Sequence, residues 1–201
     1  MERPTPEQIA ALPPYPVLPL DRIHVLRDAA QCEFAARELR LAAGPIGFDT
    51  ESKPMFVAGG EPTGPHIVQF ATAQHAFIIH TEAPETLGFL RDVLESQAIA
   101  KVGFGIASDR QPLYRKLGLQ LRGGIDVSMM VKRLGFRQPV GLRAAVAVVL
   151  GQRLSKSKKV TTSNWASPRL SPQQLQYAAN DAHASLRVYL ALAASPMAQT
   201  P

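Results

Sequence analysis

The sequence predicts one domain of the α/β or α+β class, with a mixed β-sheet and helices on its faces. Short apolar segments of strand character come first, and segments with helical spacing then alternate with further strands. The length of 201 residues allows one full hydrophobic core and leaves little room for a second. We therefore expect a single globular unit, and the sequence shows no internal repeat.

The first 20 residues differ from the remainder because they contain six prolines: Pro4, Pro6, Pro13, Pro14, Pro16 and Pro19. Proline fixes φ and lacks an N–H, so this density excludes a long helix or a central strand. We expect residues 1–20 to form an extended or partly disordered arm. Residues 21–195 then form the domain, and residues 196–201 form a frayed tail.

The domain begins with a strand at Arg22–Arg27 and a helix that Asp28 caps and that runs to about Leu41. Gly44 and Pro45 end this helix, and a strand follows to Glu51. Later elements show alternation or helical spacing between turn signals. The predicted strands are His66–Ala71, Ala76–His80 and Ile99–Phe104, and the predicted helices are Glu85–Leu94, Ser108–Leu117, Val127–Leu134, Leu142–Leu150 and Ser171 to about Leu192.

Composition excludes several classes of protein. Hydrophobic residues make up 46% and charged residues 19%, as in ordinary globular proteins. No apolar run approaches the roughly 20 residues of a membrane helix, and the N-terminus lacks a signal-peptide pattern, so we expect a cytoplasmic protein. The single cysteine, Cys32, excludes an internal disulfide framework and a Cys-rich zinc site. Its place in a helical pattern predicts a buried core thiol.

The net charge of +6 is unevenly distributed along the chain. Residues 1–100 hold 7 Lys/Arg against 13 Asp/Glu, whereas residues 101–201 hold 15 Lys/Arg against 3 acids. The basic half favours a polyanionic partner, nucleic acid first, although a merely solvated surface is the alternative. The three acids in that half, Asp109, Asp126 and Asp181, therefore each call for a specific explanation. Asp126 is well placed to cap the helix that starts at Val127.

Asp49 and Glu51 end an apolar strand with two carboxylates at positions i and i+2. This spacing points both side chains to the same face of the sheet. Like charges side by side repel, so the pair is either exposed to water or holds a cation, most simply Mg²⁺ or Mn²⁺. Tyr177 and Asp181 are four residues apart in the last predicted helix and so share one of its faces.

At these positions the sequence resembles the DEDD superfamily of 3′ to 5′ exonucleases. The motifs that carry the resemblance are Phe48-Asp49-Thr50-Glu51, the segment from Lys101 to Asp109, and Tyr177-Ala178-Ala179-Asn180-Asp181. The sister branch has a histidine five residues before the last Asp. Here that residue is Gln176, so the resemblance is to the tyrosine branch. Gly105-Ile106 and Ser163-Asn164-Trp165 are similar to Werner-type members first and to ribonuclease D-type members second.

The resemblance covers roughly residues 22–195 and implies a ribonuclease H-like fold with a two-metal phosphodiesterase site. It implies that Asp49 bridges two divalent cations and that Glu51 and Asp181 bind the one that activates water. Asp109 would hold the second cation mainly through water, and Tyr177 would position the attacking water. The product would be a nucleoside 5′-monophosphate released from the 3′ end.

Substrate contacts are expected from basic and aromatic residues around this site. Basic side chains bind phosphates without sequence specificity, and aromatic or apolar side chains stack on bases. The candidates are Arg153, Lys156, Lys158, Lys159 and Arg169 for phosphates, and Met55, Phe56 and Phe104 for the terminal base. A solvated loop is the alternative for the basic residues, and core packing is favoured for Phe104. Trp165 is predicted to be a packing anchor.

The function that the sequence favours is a 3′ to 5′ exonuclease on nucleic acid, dependent on two Mg²⁺ or Mn²⁺ ions. Single-stranded or 3′-recessed DNA is the favoured substrate because the resemblance is strongest to Werner-type members. Ribonuclease D-like trimming of RNA is the alternative, and a catalytically silent nucleic-acid-binding module is a third hypothesis. The sequence leaves the oligomeric state open.

Overall fold

The structure of the protein is a computed structural model that describes residues 1–54, 62–138 and 140–195. The described residues form one six-stranded sheet, with strands β1 (Ile23–Leu26), β2 (Ile46–Glu51), β3 (Ile67–Ala71), β4 (Ala76–His80), β5 (Lys101–Gly103) and β6 (Gly124–Asp126). The strand order is β1-β4-β3-β2-β5-β6. Only β3 runs against its neighbours, and the other adjacent pairs are parallel. The predicted mixed sheet is therefore confirmed.

The described helices are α1 (Pro6–Ala10), α2 (Ala29–Leu41), α3 (Leu87–Leu94), α4 (Ala107–Leu117), α5 (Val127–Lys132), α6 (Leu142–Leu150), α7 (Lys158–Thr161) and α8 (Pro172–Ala193). Turns of 3-10 helix precede β1 at Leu20–Arg22 and α3 at Pro84–Thr86. The capping predictions are confirmed: Asp28 accepts from Gln31, Asp126 accepts from Ser128, and Ser171 forms a capping box with Gln174. Each of these side chains satisfies an amide that the first turn of its helix leaves without a partner.

Side chains of successive residues in β2 point to opposite faces of the sheet. Phe48 enters a core shared with residues of α2, α3 and α4, whereas Gly47 lies against α8. A Cβ atom on Gly47 would collide with the carbonyl oxygen of Ala182, so glycine is what allows α8 to lie directly on β2. This close approach fixes the height of α8 over the end of β2.

The proline-rich arm is packed against the domain. Thr5 and Gln8 form a capping box that starts the short helix α1, and Ile9, Tyr15 and Leu18 are buried. The backbone of residues 13–15 pairs with Arg153: Tyr15 N–H donates to the Arg153 carbonyl at 3.0 Å, and Arg153 N–H donates to the Pro13 carbonyl at 2.7 Å. The prolines exclude long regular elements as expected, and one capped helical turn remains possible because Pro6 occupies the first helical position.

Two single-residue predictions are confirmed by burial. Cys32 is buried in α2, and Trp165 is fully buried, with its indole N–H donating to the Thr161 carbonyl at 3.2 Å. Across the described ranges, no helix combines the length and the apolar character needed to span a membrane.

Candidate active site

Asp49, Glu51 and Asp181 meet where β2 ends beneath α8. Asp49 and Glu51 share the face of β2 on which Gly47 contacts α8, and Asp181 immediately precedes the contacting residue, Ala182. One oxygen atom from each of the three carboxylates lies within 4.8 Å of the others. We call these three side chains the carboxylate cluster. The i, i+2 spacing of Asp49 and Glu51 puts both side chains on one face of β2, and the contact of Gly47 with α8 brings Asp181 close to them.

Asp109 approaches from the other face of β2. Gly105 has a φ of 68°, which turns the chain sharply after β5 and starts α4 at Ala107. Thr50 points away from Asp49 and Glu51, and its hydroxyl donates to Asp109 Oδ1 at 2.6 Å. Asp126 supports this turn, because its Oδ1 accepts from the Gly105 N–H at 3.1 Å. Asp109 is thus held beside the cluster through a bond that Thr50 provides.

Tyr177 lies one turn before Asp181 in α8. Its hydroxyl is 3.0 Å from Thr161 Oγ1 in α7, and its ring is 5.9 Å from the ring of the buried Trp165. Burial raises the pKa of the phenol, and the nearby Asp181 raises it further. Tyr177 therefore keeps its proton at neutral pH and presents a fixed hydroxyl group at the edge of the cluster.

Burial and mutual repulsion make the carboxylates hard to ionise. The pKa of Asp49 is raised well above its ordinary value, first by burial and then by Asp181 and Asp109. For Glu51, burial followed by repulsion from Asp49 and Asp181 raises the pKa to about 9. The pKa of Asp109 is raised to about 6 by burial, against the lowering effect of the Thr50 hydrogen bond. Ionising Asp49, Glu51, Asp109 and Asp181 together at neutral pH requires a compensating positive charge.

The cluster fits a divalent cation. Carboxylate oxygens are the ligands that Mg²⁺ and Mn²⁺ favour, and several from different elements converge here. Burial raises the pKa of Asp181 as well, but Lys156 lowers it by its charge and by a direct hydrogen bond. Lys156 Nζ donates to Asp181 Oδ2 at 2.6 Å. The chain thus supplies one positive charge to the cluster itself.

The other predicted substrate residues differ in their exposure and in the residues they contact. Lys158, Lys159 and Arg169 are exposed. Arg153 instead contacts the arm, with Nη1 donating to the Ala10 carbonyl at 3.0 Å. Phe104 is half-buried and packs against a core cluster that includes Val102, in keeping with the favoured packing role. Met55 and Phe56 fall outside the described residues.

The contacts that Thr50 and Thr161 make at the site had not been predicted, in addition to the ion pair of Lys156 with Asp181. Alternation along β2 could have indicated that Thr50 faces away from its acidic neighbours, but not that it meets Asp109. The bond between Thr161 and Tyr177 joins residues 16 positions apart and depends on how α7 packs on α8. Neither contact leaves a signal in local sequence.

The comparison with protein families agrees with this geometry. The family model described as 3′-5′ exonuclease matches residues 23–195, nearly the whole chain. The chain belongs to this family, which is part of the DEDD superfamily and depends on metal ions for catalysis. The resemblance read from the three motifs is thereby confirmed.

Individual relatives share less than a third of the aligned residues with this chain. The mouse (Mus musculus) bifunctional 3′-5′ exonuclease/ATP-dependent helicase WRN is 29% identical over 167 residues, covering 81% of this chain and 12% of the relative. A 3′-5′ exonuclease from Arabidopsis thaliana is 31% identical over 152 residues, covering 73% of this chain and 52% of the relative. The chain thus spans between about an eighth and a half of the length of these two proteins.

Solved structures show the same fold. Trypanosoma brucei RNase D in complex with RNA U12 superimposes with a TM-score of 0.72 at 18% identity, covering 94% of this chain and 65% of that one. The six-stranded mixed sheet flanked by helices is therefore the ribonuclease H-like fold that the resemblance implied.

Proposed function

We propose that the protein is a metal-dependent 3′ to 5′ exonuclease that removes nucleoside 5′-monophosphates from the 3′ end of nucleic acid. The observation that carries this proposal is the convergence of Asp49, Glu51 and Asp181 within 4.8 Å at the end of a central strand. A buried concentration of carboxylates destabilises the fold unless cations compensate for it. Membership of the 3′-5′ exonuclease family supports phosphodiester hydrolysis as the reaction of this carboxylate cluster.

In the proposed reaction, a water oxygen attacks the terminal phosphorus, the bond from phosphorus to the 3′ oxygen breaks, and that oxygen receives a proton. Two bound divalent cations would supply Lewis acidity at the attacking and leaving oxygens. Asp49, Glu51 and Asp181 would hold them, with Asp109 as an outer ligand fixed by Thr50. The Tyr177 hydroxyl, fixed by Thr161, would hydrogen-bond the attacking water.

DNA is the proposed substrate, and the exposed Lys158 and Lys159 on α7 are proposed to contact its phosphates. The resemblance to Werner-type members favours DNA, and the mouse exonuclease/helicase WRN is among the relatives that this chain matches. RNA trimming is a second candidate, because an RNase D of the same fold is known in complex with RNA. Phosphate contacts serve both polymers equally, so the choice of sugar depends on contacts beyond these lysines.

The test is digestion of 5′-labelled single-stranded DNA, 3′-recessed duplex DNA and matched RNA, with Mg²⁺, Mn²⁺ or a chelator. We expect a ladder that shortens from the 3′ end, faster on DNA, and absent with the chelator. Asp49→Asn should reduce the rate by about 1,000-fold or more, because it removes a central ligand. The exposed Asp92→Asn on α3 is the control for loss of one acid and should retain full activity.

If RNA is shortened faster than DNA, RNA is the preferred substrate, and the proposed metal-dependent 3′ to 5′ hydrolysis is unaffected. No shortening of either polymer with either metal, together with retarded migration in a gel-shift assay, would reject the exonuclease. The catalytically silent nucleic-acid-binding module would then be the supported function.

A further inference from the structure

Lys156 is directed into the carboxylate cluster, unlike the lysines that follow it. Its Nζ atom is 2.6 Å from Asp181 Oδ2 and 5.2 Å from the centre of the Tyr177 ring. The Asp181 side chain is 3% exposed and that of Lys156 is 28% exposed, so this ion pair is largely shielded from water. Lys158 and Lys159, two and three positions further on, are exposed.

Lys156 and a divalent cation at the cluster would both bind the carboxylate of Asp181. Among the described residues, the ion pair with Lys156 is the one that engages a member of the cluster. A Mg²⁺ ion bound to a carboxylate oxygen lies about 2.0–2.1 Å from it, and an ammonium group on that oxygen would repel the ion at close range. Because Lys156 has a long flexible stem, it can leave Asp181 without movement of the backbone.

We propose that Lys156 is a tethered cation that competes with a divalent metal ion for Asp181 and then turns to the phosphate of the 3′-terminal nucleotide. In the metal-free protein it compensates for part of the charge of the cluster. When a metal ion takes Asp181, the ammonium group is released beside Tyr177, where the scissile phosphate would lie. The phosphate contact rests on the proposed function, whereas the competition does not require nucleic acid.

Competition is measured by calorimetric titration of Mn²⁺ into the whole protein without nucleic acid. Lys156→Met keeps an unbranched, flexible side chain and removes the charge, so we expect Mn²⁺ to bind about tenfold more tightly, the usual scale for one charge-assisted hydrogen bond. Lys158→Met and Lys159→Met lose the same charge at exposed positions and should change Mn²⁺ affinity by less than about twofold. Lys156→Gln is the second variant and should show the same gain as Lys156→Met.

Unchanged or weaker Mn²⁺ binding in both Lys156 variants, relative to wild type, would overturn the competition. If the chelated Lys156→Met protein is unfolded, Lys156→Gln and the rise in melting temperature on adding Mn²⁺ decide the question, because tighter binding gives a larger rise.

The phosphate contact is measured by kcat at saturating Mn²⁺. We expect about a tenfold lower kcat in Lys156→Met, and an unchanged kcat would reject this half of the proposal. The wild-type protein could prove inactive on nucleic acid while the Lys156→Met variant still binds Mn²⁺ more tightly than wild type does. This result would reject the proposed exonuclease activity and retain the competition between Lys156 and the metal ion.

Discussion

The carboxyl group of Glu51 links the site to the stability of the protein. Its pKa is about 9 in the folded protein against an ordinary value of 4.5. Between these values the folded state keeps a proton that the unfolded chain has released. The unfolded state therefore binds fewer protons, and stability falls as the pH rises from about 4.5 to about 9. Asp109, with a pKa of about 6, adds to this fall at the acidic end of the range.

We therefore expect Glu51→Gln to stabilise the metal-free protein at alkaline pH. In chelator at pH 8, the free energy of unfolding should rise by roughly 2 kcal/mol, and the difference should shrink towards pH 5. Urea unfolding at the two pH values measures it. Glu85→Gln, at an exposed position, is the control and should change stability by less than about 0.5 kcal/mol. A Glu51→Gln protein that is less stable than wild type at pH 8 would show that the Glu51 carboxylate is compensated within the fold.

At the scale of elements, the contact between β2 and α8 determines whether the site exists. Asp49 and Glu51 come from the strand and Asp181 from the helix, and Gly47 is where the two backbones touch. A methyl group there would collide with a backbone carbonyl that has no flexible end to move away. The helix would have to rise from the sheet and carry Asp181 and Tyr177 with it.

We expect Gly47→Ala to lower the free energy of unfolding by about 3 kcal/mol and to weaken Mn²⁺ binding. Gly88→Ala is the matched control, because Gly88 is an exposed residue of α3 whose added Cβ would meet no atom within 4 Å. Alanine at this position should stabilise the protein by about 0.5–1 kcal/mol. Equal stability of the two variants would contradict the proposed close contact.

Elements with strong local signals were predictable from sequence, whereas elements that depend on packing were not. The strand Ala76–His80 and the helix Leu142–Leu150 have the predicted bounds, because a turn before the strand and Gly151 after the helix mark them. The four-residue helix α7 escaped prediction. It is too short to be stable alone, and Val160 packs it against a core cluster that includes Trp165.

At the scale of the whole molecule, the arm joins the two ends of the sequence and supports the loop that carries Lys156. Tyr15 is buried, and its hydroxyl is 2.8 Å from Nδ1 of His183 in α8. Burial lowers the pKa of His183 to about 4, so the imidazole is neutral near pH 7. The backbone pairing of residues 13–15 with Arg153 lies three positions before Lys156.

We expect Tyr15→Ala to lower the free energy of unfolding by about 3 kcal/mol, because it leaves a cavity and an unpaired buried imidazole. Leu20→Ala, at a position that is 52% exposed, is the control and should cost less than about 0.5 kcal/mol. Urea unfolding measures both variants. Wild-type stability of Tyr15→Ala would mean that the arm does not contribute to the fold.

The candidate site residues could be singled out from the sequence, but the residues that surround them could not be predicted. Asp49, Glu51, Asp109, Tyr177 and Asp181 could be singled out because spacing and scarcity of negative charge marked them. The placement of Lys156 could not, because the sequence gives three neighbouring lysines the same appearance and only the path of the loop directs one inwards. Burial of Tyr15 likewise depends on contacts with residues far along the chain.

Hydrolysis of an oligonucleotide in H₂¹⁸O tests the proposed chemistry most directly. Mass spectrometry of the products should show nucleoside 5′-monophosphates that carry one ¹⁸O atom on phosphorus, and a shortened strand that ends in an unlabelled 3′ hydroxyl. These products should disappear with a chelator and in Asp49→Asn. Products with a 3′ phosphate, nucleotides without the label, or the same yield from Asp49→Asn would contradict attack by water on the terminal phosphodiester at the carboxylate cluster.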